Sequence, residues 1–104
     1  MNTARPDVLR AIAANVDRAP SVARRTGGAL GVAAAYLPGE RIEGLRVRDD
    51  RLEVHVVMRW GVTADAVERD VLSAVGDAAW DPARVDVVID DIDVPATTGV
   101  AARS

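Results

Sequence analysis

Leu52, Val54, Val56 and Met58 alternate with Glu53, His55, Val57 and Arg59, and the run closes on Trp60-Gly61. A period of two sends successive side chains to opposite faces of a strand. This segment is therefore expected to form a strand with one apolar face. In the preceding run, Ile42 to Arg48, Leu45 and Val47 alternate with Arg46 and Arg48, and Asp49-Asp50 supplies a polar turn. The two runs predict one hairpin, Ile42–Arg48 with Leu52–Gly61, introduced by a turn at Tyr36-Leu37-Pro38-Gly39. A slip of one residue would expose the whole apolar set, so the register is tightly specified. Outward Arg46 and Arg48 are expected to meet Glu53 across the pair, a contact worth about 0.2–1 kcal/mol.

Around the hairpin the punctuation is clear. Pro6 suits a first helical turn, and Val8, Leu9, Ile12 and Val16 follow on one face at helical spacing. Ala19-Pro20 ends that helix, because a residue before proline is pushed out of the helical region. Ser21–Gly31 reads as a glycine-punctuated connection, and Gly31–Tyr36 as a short strand bracketed by Gly27-Gly28 and Pro38-Gly39. After Gly61, Thr63 is placed to cap a second helix with Asp65 in its first turn. Ala64, Val67, Val71, Ala74, Val75 and Ala78 form that helix's apolar stripe, and Gly76 or Asp81-Pro82 stops it. Val85-Asp86-Val87-Val88-Ile89 is a last strand running towards Ile92. The strand–helix–strand crossover is expected to be right-handed. The predicted fold class is α+β: a small mixed sheet of three or four strands with two helices on one face, in the order α-β-β-β-α-β. Residues 1–94 form a single domain, and 95–104 a disordered tail.

At 104 residues the chain can bury one modest core. With only Tyr36, Trp60 and Trp80 aromatic, that core is expected to be aliphatic. The absence of cysteine removes disulfides, thiolate metal sites and a cysteine nucleophile. No apolar run approaches the roughly 20 residues that span a bilayer, and the N-terminus lacks the apolar stretch of a signal peptide. The expectation is a cytoplasmic protein with no direct membrane insertion. The net charge of −3 is unevenly spread: ten Arg and seven acids before residue 61 give +3, while three Arg and nine acids after it give −6. This asymmetry reads either as a chance distribution over a solvated surface or as an electrostatically polar particle suited to head-to-tail contacts.

No residue set spells a reaction. His55 is the single histidine and, outward beside Arg and Glu, reads as a solvated or ion-paired surface residue. Asp86, Asp90, Asp91 and Asp93 suggest a divalent cation, but strand alternation divides neighbours between faces, and a solvated strand end is the simpler expectation. Gly28-Ala29-Leu30-Gly31 spells the G-x-x-G of a KH loop, just downstream of Arg24-Arg25. In KH domains that loop joins two helices, and here Pro38-Gly39 leaves little room for the second. The acidic balance and the lack of an aromatic stacking platform also argue against a nucleic-acid partner. A small KH-like nucleic-acid-binding module stays as the alternative. Tyr36, Leu37 and Trp60 read equally as strand-end packing or as an exposed contact patch. Arg46, Arg48 and Arg59 would rim that patch, and Val57, outward among polar neighbours, favours a covered sheet face.

The order and spacing of several segments resemble a known family. These are Ala19-Pro20-Ser21-Val22, Gly31-Val32-Ala33 through Tyr36-Leu37-Pro38-Gly39, Ile42 through Arg48, and Val54 through Trp60-Gly61. The helix bearing Val67 and Val71 and the Val85–Ile92 strand complete the pattern. The family is that of the alkaline shock proteins, also called Gls-type envelope stress response proteins, and the resemblance covers residues 8–93. Trp60 stands where the family often has tyrosine, Ser21 stands where glycine usually follows the proline, and long charged extensions are lacking. All 13 basic residues are Arg, which fits the codon usage of a GC-rich genome, as in many actinobacteria. The resemblance implies a non-catalytic, cytoplasmic envelope-stress protein without cofactor or metal. It also implies self-association and a peripheral position at the inner membrane face through a small membrane-anchored partner. The residues expected to carry that role are Tyr36, Leu37, Arg46, Arg48, His55, Val57, Arg59 and Trp60.

Overall fold

Pro6 opens helix α1 (Pro6–Asp17) in the computed structural model, which describes residues 5–28, 31–82 and 84–95. The expected tail beyond Pro95 and the N-terminal Met1–Ala4 lie outside the described residues. Helix α1 buries Leu9, Ile12, Ala13 and Val16, the face that the helical spacing marks. It ends ahead of Ala19-Pro20, where the Arg18 N–H donates to Ala14 O and Asn15 O, both at 3.2 Å.

The long alternating run is the central strand of a mixed sheet. Strand β5 (Arg51–Arg59) carries β6 (Arg84–Asp93) in parallel along one edge, from Arg51 opposite Arg84 to Arg59 opposite Asp93. Two short strands share its other edge, both antiparallel. Strand β4 (Leu45–Arg48) pairs with the first half, Leu45 opposite Val54. Strand β1 (Val22–Arg25) pairs with the second half, Val22 opposite Met58. The change of partner falls at His55, whose N–H donates to Gly44 O at 2.8 Å and whose carbonyl accepts from Thr26 N at 3.0 Å. A separate two-stranded ribbon, β2 (Ala34–Leu37) and β3 (Glu40–Glu43), folds about Pro38-Gly39 with Ala34 opposite Glu43.

The α+β class and the mixed sheet agree with expectation, and the strand order is longer than predicted. Ile42–Arg48 is not one strand. The chain turns at Gly44, at φ +90°, so that residues before it pair with β2 and residues after it with β5. A side chain there would put its Cβ 2.8 Å from the Cβ of Arg25 and 3.2 Å from His55 O, so only glycine fits. The connection expected from Ser21 contains β1.

Helix α2 (Ala64–Asp77) begins as its cap predicts, with Thr63 Oγ1 accepting from Ala66 N at 3.1 Å. It runs through Gly76, and Val67, Val71, Ala74 and Val75 are buried. One core joins the helices to one sheet face: Ile12 and Val16 of α1 and Val67 and Val71 of α2 meet Val22, Leu45, Leu52, Val54 and Val56. Each such side chain contributes about 1.5–3 kcal/mol on burial. Val85, Val87 and Ile89 of β6 pack against the same cluster. The core is not purely aliphatic, because Trp80 is buried in it. Two polar contacts tie the layers together. Asn15 Nδ2 donates to Ala74 O at 3.1 Å, satisfying a carbonyl that the last turn of α2 leaves open. Buried Ser21 donates through Oγ to Asp70 Oδ2 at 2.6 Å and through its N–H to the same oxygen at 3.2 Å.

Candidate interaction surface

The sheet face turned away from the helices is the chemically distinctive surface. Leu45 faces the core, so alternation places Arg46 and Arg48 of β4 on the opposite side. Arg59 takes the same side of β5, and Arg24 of β1, opposite Val57, joins them. Among the described residues none of these four forms a salt bridge, whereas Arg5, Arg10, Arg25, Arg41, Arg51 and Arg84 all do. Arg46 stands opposite Glu53 as the pairing requires, but the Glu53 carboxylate engages His55 instead.

His55 sits in the middle of this face and, of the two expected readings, is the ion-paired one rather than the solvated one. Its side chain is 15% exposed, with Nδ1 3.1 Å from Asp90 Oδ2 and Nε2 3.3 Å from Glu53 Oε1. An imidazolium donates to both carboxylates at once, and a neutral ring to only one. The cluster fastens β6 to β5. Gly28, at φ +80°, lies beside the cluster, where an added Cβ would make ordinary contact with His55 Nδ1 at 3.9 Å and Asp90 Oδ2 at 3.8 Å. Val57, expected on a face covered by a partner, is already covered within the chain, with 3% of its surface exposed. His55 and Val57 are therefore removed from the open contact surface.

Tyr36 and Trp60 are exposed, at 72% and 61%, so strand-end packing does not account for either. They lie apart. Tyr36 and the half-buried Leu37 stand with Arg46 and Val47 on a groove of about 500 Å³ floored by Leu9 and Ala35. Trp60 and Arg59 lie at the other end of β5, roughly 25–30 Å from Arg51 at the usual rise per residue. The eight predicted residues thus form a groove end bearing Tyr36, Leu37, Arg46 and Arg48, a strand end bearing Arg59 and Trp60, and a closed middle.

No protein-family model, no curated protein and no solved structure matches the chain.

Several other titratable groups tie elements together. Asp86 is held below the usual carboxylate range by hydrogen bonds from Arg84, at 2.7 Å, and Arg51, at 3.2 Å. The Arg10 guanidinium is raised above its ordinary value by its bond to the Glu40 carboxylate, which links α1 to β3. With Asp86 bound to arginines and Asp90 to His55, the suggested cation cluster is divided, and no group of described acidic and imidazole side chains is arranged to hold a metal ion. Arg25, half of the basic pair in the KH-like reading, donates to both oxygens of Asp17 at 2.8 and 3.1 Å and to Glu43 O at 2.6 Å. The segment between Arg25 and Ala34 joins β1 to β2, where a KH loop joins two helices; its Ala29-Leu30 lie outside the described residues. No described helix is long and apolar enough to cross a membrane.

Proposed function

We propose that this chain is a non-catalytic adaptor or scaffold that acts by self-association and by docking to a small membrane-anchored partner, in the setting of cell-envelope stress. The setting, the membrane partner and the peripheral position at the inner face of the membrane come from the resemblance to the alkaline shock proteins. The observation that carries the reading furthest is the basic face of Arg24, Arg46, Arg48 and Arg59, without salt bridges among the described residues, with exposed Tyr36 and Trp60 at its two ends. Aromatic residues and arginine are the types that dominate protein–protein contacts. Residues 61–104 carry a net charge of −6, opposite in sign to that face, so a second copy would offer it charge of the attracting sign. A contact between unlike patches is head-to-tail and extends until its rotation closes.

Light scattering across protein concentration and salt tests this directly. Growth in mass with concentration, weakened by salt and by Arg46→Glu with Arg48→Glu, is the expected result. A monomer at every concentration and at low salt contradicts self-association.

A further inference from the structure

Trp60, Ile92 and Val94 are exposed and gather at one end of the sheet. The parallel register puts them there. Met58 stands opposite Ile92 and Arg59 opposite Asp93, so Trp60 and Val94 follow as the two strands end. Between the end of β6 and the start of α2 lies an open hollow of about 590 Å³, lined by Met58, Ile89, Ile92 and Val94 with Ala64 and Asp91. Trp60 is not part of that lining. An exposed indole at the same strand end as an apolar hollow leaves two surfaces that both gain by leaving water. The charges here are also open. Arg59 and Asp93 are opposite each other yet form no salt bridge among the described residues, and neither does Asp91, whose Oδ1 accepts the Ile92 N–H at 2.8 Å.

We infer that this strand end is the contact between two copies of the chain, each seating its Trp60 in the hollow of the other. One patch carries an apolar knob, an apolar hollow, a cation and two anions. A two-fold rotation therefore brings each group onto its complement: indole onto hollow, and Arg59 onto Asp91 and Asp93 of the second copy. A foreign partner would need only one member of each complementary set, whereas this patch holds both. Two indoles of about 150–250 Å² each, with the walls that cover them, bury on the order of 1,000 Å² in all, the lower end for a specific interface. The pair is accordingly a weak one that forms as concentration rises. It rests on the self-association reading above and names its first contact. Arg24, Arg46 and Arg48 stay outside the pair and are left for growth beyond two copies.

The test follows the full chain by sedimentation and by acrylamide quenching of tryptophan fluorescence as its concentration rises. Trp80 is buried at all times, so the change in quenching reports Trp60. The expected result is protection of Trp60 in step with formation of a two-copy species. Trp60→Ser and Val94→Asp, both at exposed positions, each weaken that species by about tenfold or more. Mixing the two variants restores association, because the intact Trp60 of one then meets the intact hollow of the other. Association that persists unchanged in Trp60→Ser, mass that grows while quenching stays constant, or a mixture no stronger than its components overturns this contact and leaves the self-association reading standing. A chain that stays monomeric, with Trp60 open to the quencher throughout, overturns both and leaves the hollow to another occupant. Should a variant lose its fold, the quenching titration of the unaltered chain still decides.

Discussion

Gly44 O accepts the His55 N–H at 2.8 Å, at the point where β5 exchanges β4 for β1 as its partner. The Gly44 N–H donates in turn to Ala33 O at 2.7 Å, so one glycine joins the main sheet to the β2–β3 ribbon. A side chain there meets Arg25 and the His55 carbonyl, in a backbone conformation that already costs a non-glycine residue roughly 1–3 kcal/mol. Gly44→Ala is expected to lower the free energy of unfolding by at least that much in chemical denaturation. Gly39→Ala, also at positive φ but with open space around it, is expected to cost less because it adds no clash.

Ser21 and Asp70 join β1 to α2 across the core. Asp70→Ala leaves the buried Ser21 hydroxyl and amide without their carboxylate acceptor, a loss of about 1–3 kcal/mol. Ser21→Ala should cost less, and the double substitution should cost less than the sum of the two, since both remove one interaction. A double-mutant cycle by urea denaturation measures the coupling.

Asp86 gives the fold an acid-side pH dependence. Its carboxyl is depressed in the folded chain by Arg84 and Arg51. The folded state therefore gains from the charged form above the ordinary carboxylate pKa, and loses that gain as pH falls through the depressed folded value. Asp86→Asn should flatten the fall in denaturation midpoint over that acid window and leave its slope near neutral pH unchanged. An unaltered acid limb would show that the pair contributes nothing in solution.

Exposed Tyr36 and Trp60 should separate stability from association. Tyr36→Ala and Trp60→Ala are each expected to shift stability by no more than about 0.5 kcal/mol while weakening the proposed self-association, read by light scattering. Stability losses well beyond that, with association intact, would make them packing residues.

The parts of this fold written in local pattern were legible before the structure. Pro6 and Thr63 mark both helix starts, and the period of two from Leu52 to Met58 marks the central strand. Strand β1 was hidden because Val22-Ala23-Arg24-Arg25 has a single fully buried side chain and draws its partner from Val56–Met58, more than thirty residues on. The break at Gly44 did have a signal, since a glycine inside a strand pattern marks a bulge or a close backbone approach. The alternation of Leu45–Arg48 masked it. In the candidate surface, the closing of His55 depends on Asp90, which the parallel register and its bulge bring across from β6, and no local spacing encodes that. The exposure of Tyr36 and Trp60 likewise depends on where β2 and the end of β5 stop relative to the core.

The central claim is adaptor function at the membrane, and crosslinked co-purification of the tagged protein from its own cells, with membrane and soluble fractions compared, tests it most directly. The account predicts recovery in the membrane fraction with one small membrane-spanning protein and with further copies of the chain, both reduced by Arg46→Glu with Arg48→Glu. Recovery in the soluble fraction with RNA or ribosomal material, unaffected by those substitutions, would contradict it.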